Sequence, residues 1–247
     1  MALNFLSLLH FTLVIAIAQA RTLFLEDVTG AYVAFQTWNP CSNGSLEFEF
    51  KTTEKIGLLM YTQTSGRDFI ELTIQDGKLV FKIFLESFTS FPYTVKDDRT
   101  ITDNRFHKIN ILFARNHLLF KVDDRSIQVL KVESPSEVHP SSKFNRVYFG
   151  GLPSSFELKL YKLANIASFF ADKLKGTIKN IFFSQCGRLK RAPKITGKHA
   201  AKEDEKDFCL VHNPCKNGGR CYSMDNSSLC ECKSTRYTGK SCEIGRR

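Results

Sequence analysis

The stretch Ser45-Leu46-Glu47-Phe48-Glu49-Phe50 alternates strictly, with Leu46, Phe48 and Phe50 on one side and Ser45, Glu47 and Glu49 on the other. Successive side chains of a strand point to opposite faces, so this period of two predicts a strand with one buried sheet face. Working outward, residues 57–61 (GLLMY) form a short continuous apolar run. Residues 69–74 and 79–84 flank Asp76-Gly77, a two-residue type I′ turn signal, and read as a hairpin. Residues 105–114 and 118–122 make a second pair joined at Arg115-Asn116-His117, and 127–132, 147–149 and 177–183 add further strands. Helical periodicity is confined to 165–174. Many short strands with regular turns between 22 and 183 predict an all-β sandwich.

The chain has 247 residues, 43% hydrophobic and 24% charged, which suits a globular protein of one or two domains. Its 22 Phe exclude a wholly disordered chain. The long apolar run lies at the start, over residues 3–18, and Ala18-Gln19-Ala20 before Arg21 has the small-x-small pattern of a cleavage site. Residues 1–20 therefore read as a secretory signal. The n-region carries no Lys or Arg, which keeps an uncut signal anchor as the alternative. No later stretch reads as a membrane span or a lipid-anchor tail, so the expected mature chain is secreted and extracellular.

Six of the eight Cys crowd between Cys209 and Cys242, which in a secreted chain reads as a disulfide framework. Residues 187–207 are almost purely polar and read as a charged linker. The unit beyond is too small for a hydrophobic core to suffice, and its disulfides carry about 2–4 kcal/mol each. The boundaries expected are a signal over 1–20, a β-domain over 21–187, a linker over 188–207 and a Cys-rich unit over 208–243. The formal charge of +10 comes from 35 basic and 25 acidic residues. Outside the cell the matching polyanions are glycosaminoglycans and not nucleic acid, with plain solvated surface as the alternative. The six His show no metal-ligand spacing, and there is no Gly-rich phosphate loop, G-x-S-x-G or carboxylate-pair motif. The expectation is that the protein is not an enzyme.

These residues carry a family resemblance. Phe50-Lys51-Thr52 followed by Gly57-Leu58-Leu59-Met60-Tyr61 resembles the opening strands of a laminin G (LNS) domain. Asp103-Asn104-Arg105-Phe106-His107-Lys108-Ile109 is similar to its D-x-x-W-H-x-V strand, with Phe106 where Trp is usual and His107 as a packing residue. Residues 147–153 (VYFGGLP) and Leu174-Lys175-Gly176-Thr177-Ile178 match its later signatures, and the resemblance spans 23–191 in order. It implies a jelly-roll-like sandwich of two antiparallel sheets. Residues 209–242 resemble an EGF-like domain, with Asn217-Gly218-Gly219 before the third Cys and Tyr237-x-Gly239 before the last. Six cysteines allow fifteen pairings; the resemblance selects Cys209–Cys221, Cys215–Cys230 and Cys232–Cys242. A zinc site at Cys230-Glu231-Cys232 is the competing reading, against which stand secretion and the absence of spaced His partners. The two modules in this order look like the N-terminal part of a neurexin, a family of cell-surface adhesion and synapse-organising receptors.

The resemblance also implies sites. The first and last strands of a laminin G sandwich lie close together, which favours a Cys41–Cys186 bond over two free thiols. Such domains often hold calcium on the rim; the matching residues are Asp68 as carboxylate, Leu85 as backbone carbonyl and the stretch around Ser142 for a later ligand. Lys143 opposes a cation there, and one carboxylate with carbonyls gives weak binding. The EGF-like unit reads as calcium-free, with Ser223 where an acidic or amide ligand is needed. Asn43-Gly44-Ser45 and Asn226-Ser227-Ser228 are glycosylation sequons. Arg188-Leu189-Lys190-Arg191, with Lys194, Lys198 and His199, reads as a convertase cleavage site, a sulfated-glycan patch or a solvated linker. The loops 64–68, 85–91 and 137–143 form the expected contact surface for a cell-surface protein partner and heparan sulfate, with Phe88 and Phe91 as exposed anchors or core residues. The rival function is a carrier of a small apolar ligand, steroid or lipid, held between the sheets.

Overall fold

The computed structural model describes residues 21–26, 30–123, 125–131, 137–153, 156, 174–204, 209, 213–224, 227–233 and 235–246. The expected signal, nearly all of the 165–174 segment, and Asn226 lie outside the described residues. Two seven-stranded antiparallel sheets form the sandwich. The first contains β1 (Thr22–Leu25), β3 (Ser45–Thr52), β8 (His107–Ala114), β9 (His117–Val122), β10 (Arg125–Lys131), β12 (Gly176–Ser184) and β14 (Ala201–Asp204), in the order β10-β9-β8-β3-β12-β1-β14. The second contains β2 (Tyr32–Trp38), β4 (Gly57–Gln63), β5 (Phe69–Gln75), β6 (Lys78–Phe84), β7 (Tyr93–Thr100), β11 (Phe144–Phe149) and β13 (Ile195–His199), in the order β13-β2-β11-β4-β5-β6-β7.

The alternating stretch becomes β3, at the centre of the first sheet between β8 and β12. Leu46, Phe48 and Phe50 are buried from solvent on its inner face, each contributing about 1.5–3 kcal/mol of apolar burial. Phe48 meets Phe149 of the second sheet edge-on at 4.9 Å, and Phe81 of the second stacks on Phe120 of the first at 4.5 Å. Rings from the two sheets thus fill the middle of the sandwich. Asp76 and Gly77 both take positive φ, 51° and 76°, as the tight β5–β6 hairpin demands.

The segment read as a linker is a correction. Residues 195–199 pair with β2 and residues 201–204 pair with β1, so this polar stretch supplies an edge strand to each sheet. Its pairing rests on backbone hydrogen bonds, and only Ile195 and Ala201 reach the core. An edge strand needs few apolar residues and gains from charge, which is why composition alone hides it.

The edge strand β7 is tied to the first sheet by ions. Arg99 holds the buried Asp97 carboxylate through Nη2 at 2.7 Å and donates to the Val122 carbonyl at 3.0 Å. Arg125 stands 3.9 Å from Asp97. Burial pushes the Asp97 carboxyl up, but the Arg99 hydrogen bonds and the two positive charges hold it below its ordinary value. Beside this, the His107 ring bridges Asp123 and Asp103 at 3.0 Å on each nitrogen, so it is a polar cross-link as well as a neighbour of Phe50.

A second apolar cluster covers the outer face of the second sheet: Leu58, Tyr61, Phe69 and Phe84, with Leu152 and Phe156 against it. Tyr61, Glu71 and Lys82 lie side by side across β4, β5 and β6 on this face. The fully buried Glu71 has Lys82 Nζ at 3.4 Å, and burial pushes its carboxyl up to about 6 against the pull of Lys82.

The C-terminal unit contains two small ladders, β15 (Arg220–Met224) with β16 (Ser227–Glu231) and β17 (Tyr237–Thr238) with β18 (Ile244–Gly245). Three disulfides, Cys209–Cys221, Cys215–Cys230 and Cys232–Cys242, hold it. Gly219 sits against the Cys242 side chain, leaving no space for a Cβ.

Candidate recognition rim

Strand direction places the loops 39–44, 64–68, 85–92, 137–143 and 185–191 at one end of the sandwich. Trp38 ends β2 there, buried, and its indole N–H donates to the Ser184 carbonyl at 3.1 Å. The Cys41–Cys186 disulfide lies just beyond the Ser45–Ser184 pair that ends the β3–β12 ladder, with the two Cα atoms 4.9 Å apart.

Asp68 binds three of the rim segments together. It precedes β5, is fully buried, and accepts from the Glu86 amide through Oδ1 at 2.8 Å. Its Oδ2 accepts from both the Ser141 amide and the Ser141 hydroxyl, the latter at 2.6 Å. Ser142, the residue expected to serve as a ligand, instead turns its hydroxyl to Ser65 Oγ at 3.3 Å. The Leu85 carbonyl accepts from the Phe88 and Thr89 amides at 2.8 and 3.0 Å, closing the turn that follows β6. Calcium needs six to eight oxygens. Asp68 and Leu85 have their oxygens engaged by donors and Ser142 faces elsewhere, so the residues as placed do not fit the cation. Among the described residues no cluster of three His, Cys, Asp or Glu side chains stands ready for a metal.

A further carboxylate joins the neighbouring loops. Glu137 accepts from the Ser42 hydroxyl at 2.7 Å and from Arg115 Nε at 3.1 Å. The Ser42 hydrogen bond, and then Arg115, hold its carboxyl below the usual range. Arg67 pairs with Glu86 at 3.0 Å and lies over the Phe84 ring at 5.7 Å. The two candidate anchors part company. Phe88 packs on the core with its ring 6.2 Å from His139. Phe91 is 79% exposed, and Tyr93, two residues on, is 43% exposed.

The basic strip is a fixed turn. Arg191 exchanges both backbone hydrogen bonds with Phe183 at 2.9 Å, and the Ser184 hydroxyl donates to the Arg188 carbonyl at 2.6 Å. Lys190 reaches Glu47 at 2.6 Å, while the Arg188, Leu189 and Arg191 side chains face solvent. The carbonyl after which a dibasic protease would cut is thus the one that accepts from Phe183, and β13 and β14 hold the chain beyond it. Asn43 is exposed beside Gly187, close to the disulfide.

Sequence reasoning missed Ser141, the Glu86 amide, His139 and Tyr93. Ser141 and Ser142 are adjacent and alike, and which of them faces Asp68 depends on a loop conformation that no periodicity encodes.

The Laminin G domain family matches residues 50–185. The chain belongs to the laminin G domain family. It is 28% identical over 244 residues to Neurexin 1 of Drosophila melanogaster, covering 89% of this chain and 13% of that protein. It is 23% identical over 218 residues to Neurexin-3a of Danio rerio, covering 86% of this chain and 12% of that protein. The chain therefore spans only a small part of the length of these relatives. Among solved structures, domains LG4-5 of the mouse laminin alpha1 chain superpose with a TM-score of 0.58 at 16% identity, covering 76% of this chain and 47% of that one. The LG1-3 region of the laminin alpha2 chain gives a TM-score of 0.56 at 18% identity, covering 74% and 34%. At such identity these likenesses speak for the fold, which is the jelly-roll-like laminin G sandwich followed by a disulfide-rich C-terminal unit.

Proposed function

We propose that this laminin G protein is an extracellular, non-catalytic recognition protein that engages a cell-surface protein through the rim formed by 64–68, 85–92 and 137–143. The observation that carries the reading is Phe91, a large apolar side chain left in solvent on a loop whose neighbours are anchored by Asp68. Exposed aromatics on a fixed support are what interface hot spots are made of. Four disulfides suit the outside of the cell, as does our reading of residues 1–20 as a secretory signal. The relatives named above lead us to infer adhesion of the neurexin kind, with the C-terminal unit acting as an EGF-like spacer. We further assign heparan sulfate to the exposed cations of 188–191, as a secondary contact. Aromatic contacts between the two sheets weigh against the carrier reading, because side chains occupy the space a steroid or lipid would need.

The test is binding of purified 21–247 to cultured neuronal cells, with and without heparinase, beside the Phe91→Ser variant. Saturable binding that survives heparinase and is weakened by Phe91→Ser is expected. Binding that the substitution leaves intact would overturn the assignment of this rim.

A further inference from the structure

We propose that Asp68 works as a metal-free clasp, doing with protein hydrogen bonds what a bound cation would do at this rim, so that the recognition surface is set without calcium. The inference concerns the surface assigned under Proposed function, but its own observations are the hydrogen bonds of Asp68 and of the groups around it. The carboxylate is fully buried, and a buried charge persists only when hydrogen bonds satisfy it. Here they do. One donor comes from the β6–β7 turn (Glu86 amide) and two come from the loop before β11 (Ser141 amide and hydroxyl), while Asp68 itself ends the β4–β5 loop. Each of the three loops is therefore held to the other two through a single side chain.

These donors fill Oδ2 twice and Oδ1 once, leaving a cation one lone pair of the carboxylate at most. The Leu85 carbonyl is committed to closing its own turn. The neighbouring carboxylate of the β6–β7 turn, Glu86, is paired with Arg67, and the loop stretch 138–143 that meets Asp68 carries no Asp or Glu, where a calcium site gathers acidic ligands. The short Asp68–Ser141 contact also leaves no gap between carboxylate and hydroxyl for an ion. Through Glu86 the clasp fixes the start of the turn that carries Phe88 against His139 and, three residues on, Phe91 into solvent. The orientation of the exposed anchor is thus a property of the polypeptide itself.

The experiment is thermal unfolding of purified 21–247 in about 2 mM calcium and in chelator, for the wild type, Asp68→Asn and Ser141→Ala. A site with Kd of about 0.1 mM would raise Tm by roughly 5 °C under these conditions. The clasp predicts wild-type curves that coincide, and variants that melt lower by the same amount in both buffers. Asn replaces one acceptor oxygen with a donor that opposes the Glu86 or Ser141 N–H, and Ala removes one donor, so Ser141→Ala keeps the test open if Asp68→Asn fails to fold. A calcium-dependent rise in wild-type Tm that either substitution abolishes would overturn the proposal. Since no partner enters this measurement, its outcome is separate from that of the cell-binding test; loss of cell binding alone would strike the recognition reading and leave the clasp standing.

Discussion

Removing the disulfide that closes the sandwich offers the sharpest test of the energetic argument. Cys41 and Cys186 are 145 residues apart in sequence. Loop-closure entropy for so long a loop amounts to about 5 kcal/mol of destabilised unfolded chain. The expected loss for Cys41→Ala/Cys186→Ala is smaller, about 3 kcal/mol. Both half-cystines sit at positive φ, 50° and 48°, a conformation that costs a non-glycine residue about 1–2 kcal/mol, and without the bond the two loops relax out of it. A loss of that size lowers Tm by roughly 6–12 °C for a domain of this size. Trp38, the sole tryptophan, lies buried at the same end and hydrogen-bonded to Ser184, so its fluorescence follows unfolding in urea. The slope of the transition should steepen, because the uncrosslinked unfolded chain exposes more surface. Removal of Cys232–Cys242, which spans only 10 residues, should leave the Trp38 transition where it was. A double variant that unfolds within about 1 kcal/mol of the wild type, at unchanged slope, would refute the closure argument.

Further outcomes follow from the charges and the rim. Glu71 has its folded pKa raised to about 6 from 4.5, so its contribution to stability is fully present below about pH 4.5 and is lost as pH rises through 6. Glu71→Gln should therefore flatten the stability profile over that window and gain up to about 2 kcal/mol at pH 7, read by urea titration at several pH values. Asp97 behaves in the opposite sense. Its depressed pKa gives stability above the ordinary carboxyl range that disappears as pH falls through the folded value, and Asp97→Asn should blunt acid unfolding. Arg99→Ala leaves that buried carboxylate with the more distant Arg125 and without its Arg99 hydrogen bonds, and should cost about 3 kcal/mol, seen as a drop in urea midpoint. Phe91→Ser should leave stability within about 0.5 kcal/mol, since the ring is exposed, yet weaken partner binding at least about tenfold in a surface-binding assay.

Much of the sandwich was legible because its central strands bury a face, and burial writes itself into sequence as a period of two. Leu46, Phe48 and Phe50 show this directly, and Asp76-Gly77 marks the hairpin because few other dipeptides tolerate two positive φ angles. The edge strands were not legible in the same way. The polar run through 195–204 binds its neighbours by backbone hydrogen bonds, which every residue except proline can make, and therefore it looks like solvent-facing linker until the sheet is seen. Tyr93-Thr94-Val95-Lys96-Asp97-Asp98-Arg99-Thr100 failed to stand out as a strand for a related reason: its inward positions include Asp97, a charge acceptable there only because Arg99 and Arg125 neutralise it.

The same reasoning explains why the rim was legible in outline and not in detail. Loop positions follow from strand ends, so the segments 64–68, 85–91 and 137–143 could be grouped from the sequence. What each side chain does there depends on single hydrogen bonds across loops distant in sequence. Asp68 and Ser141 are 73 residues apart, and exchanging the roles of Ser141 and Ser142 would alter no local pattern. Whether Asp68 serves as ligand or clasp is thus decided by which donors the loops bring to it. Here the donors are an amide from one loop and an amide with a hydroxyl from another, a set that satisfies the buried carboxylate with no charge other than its own.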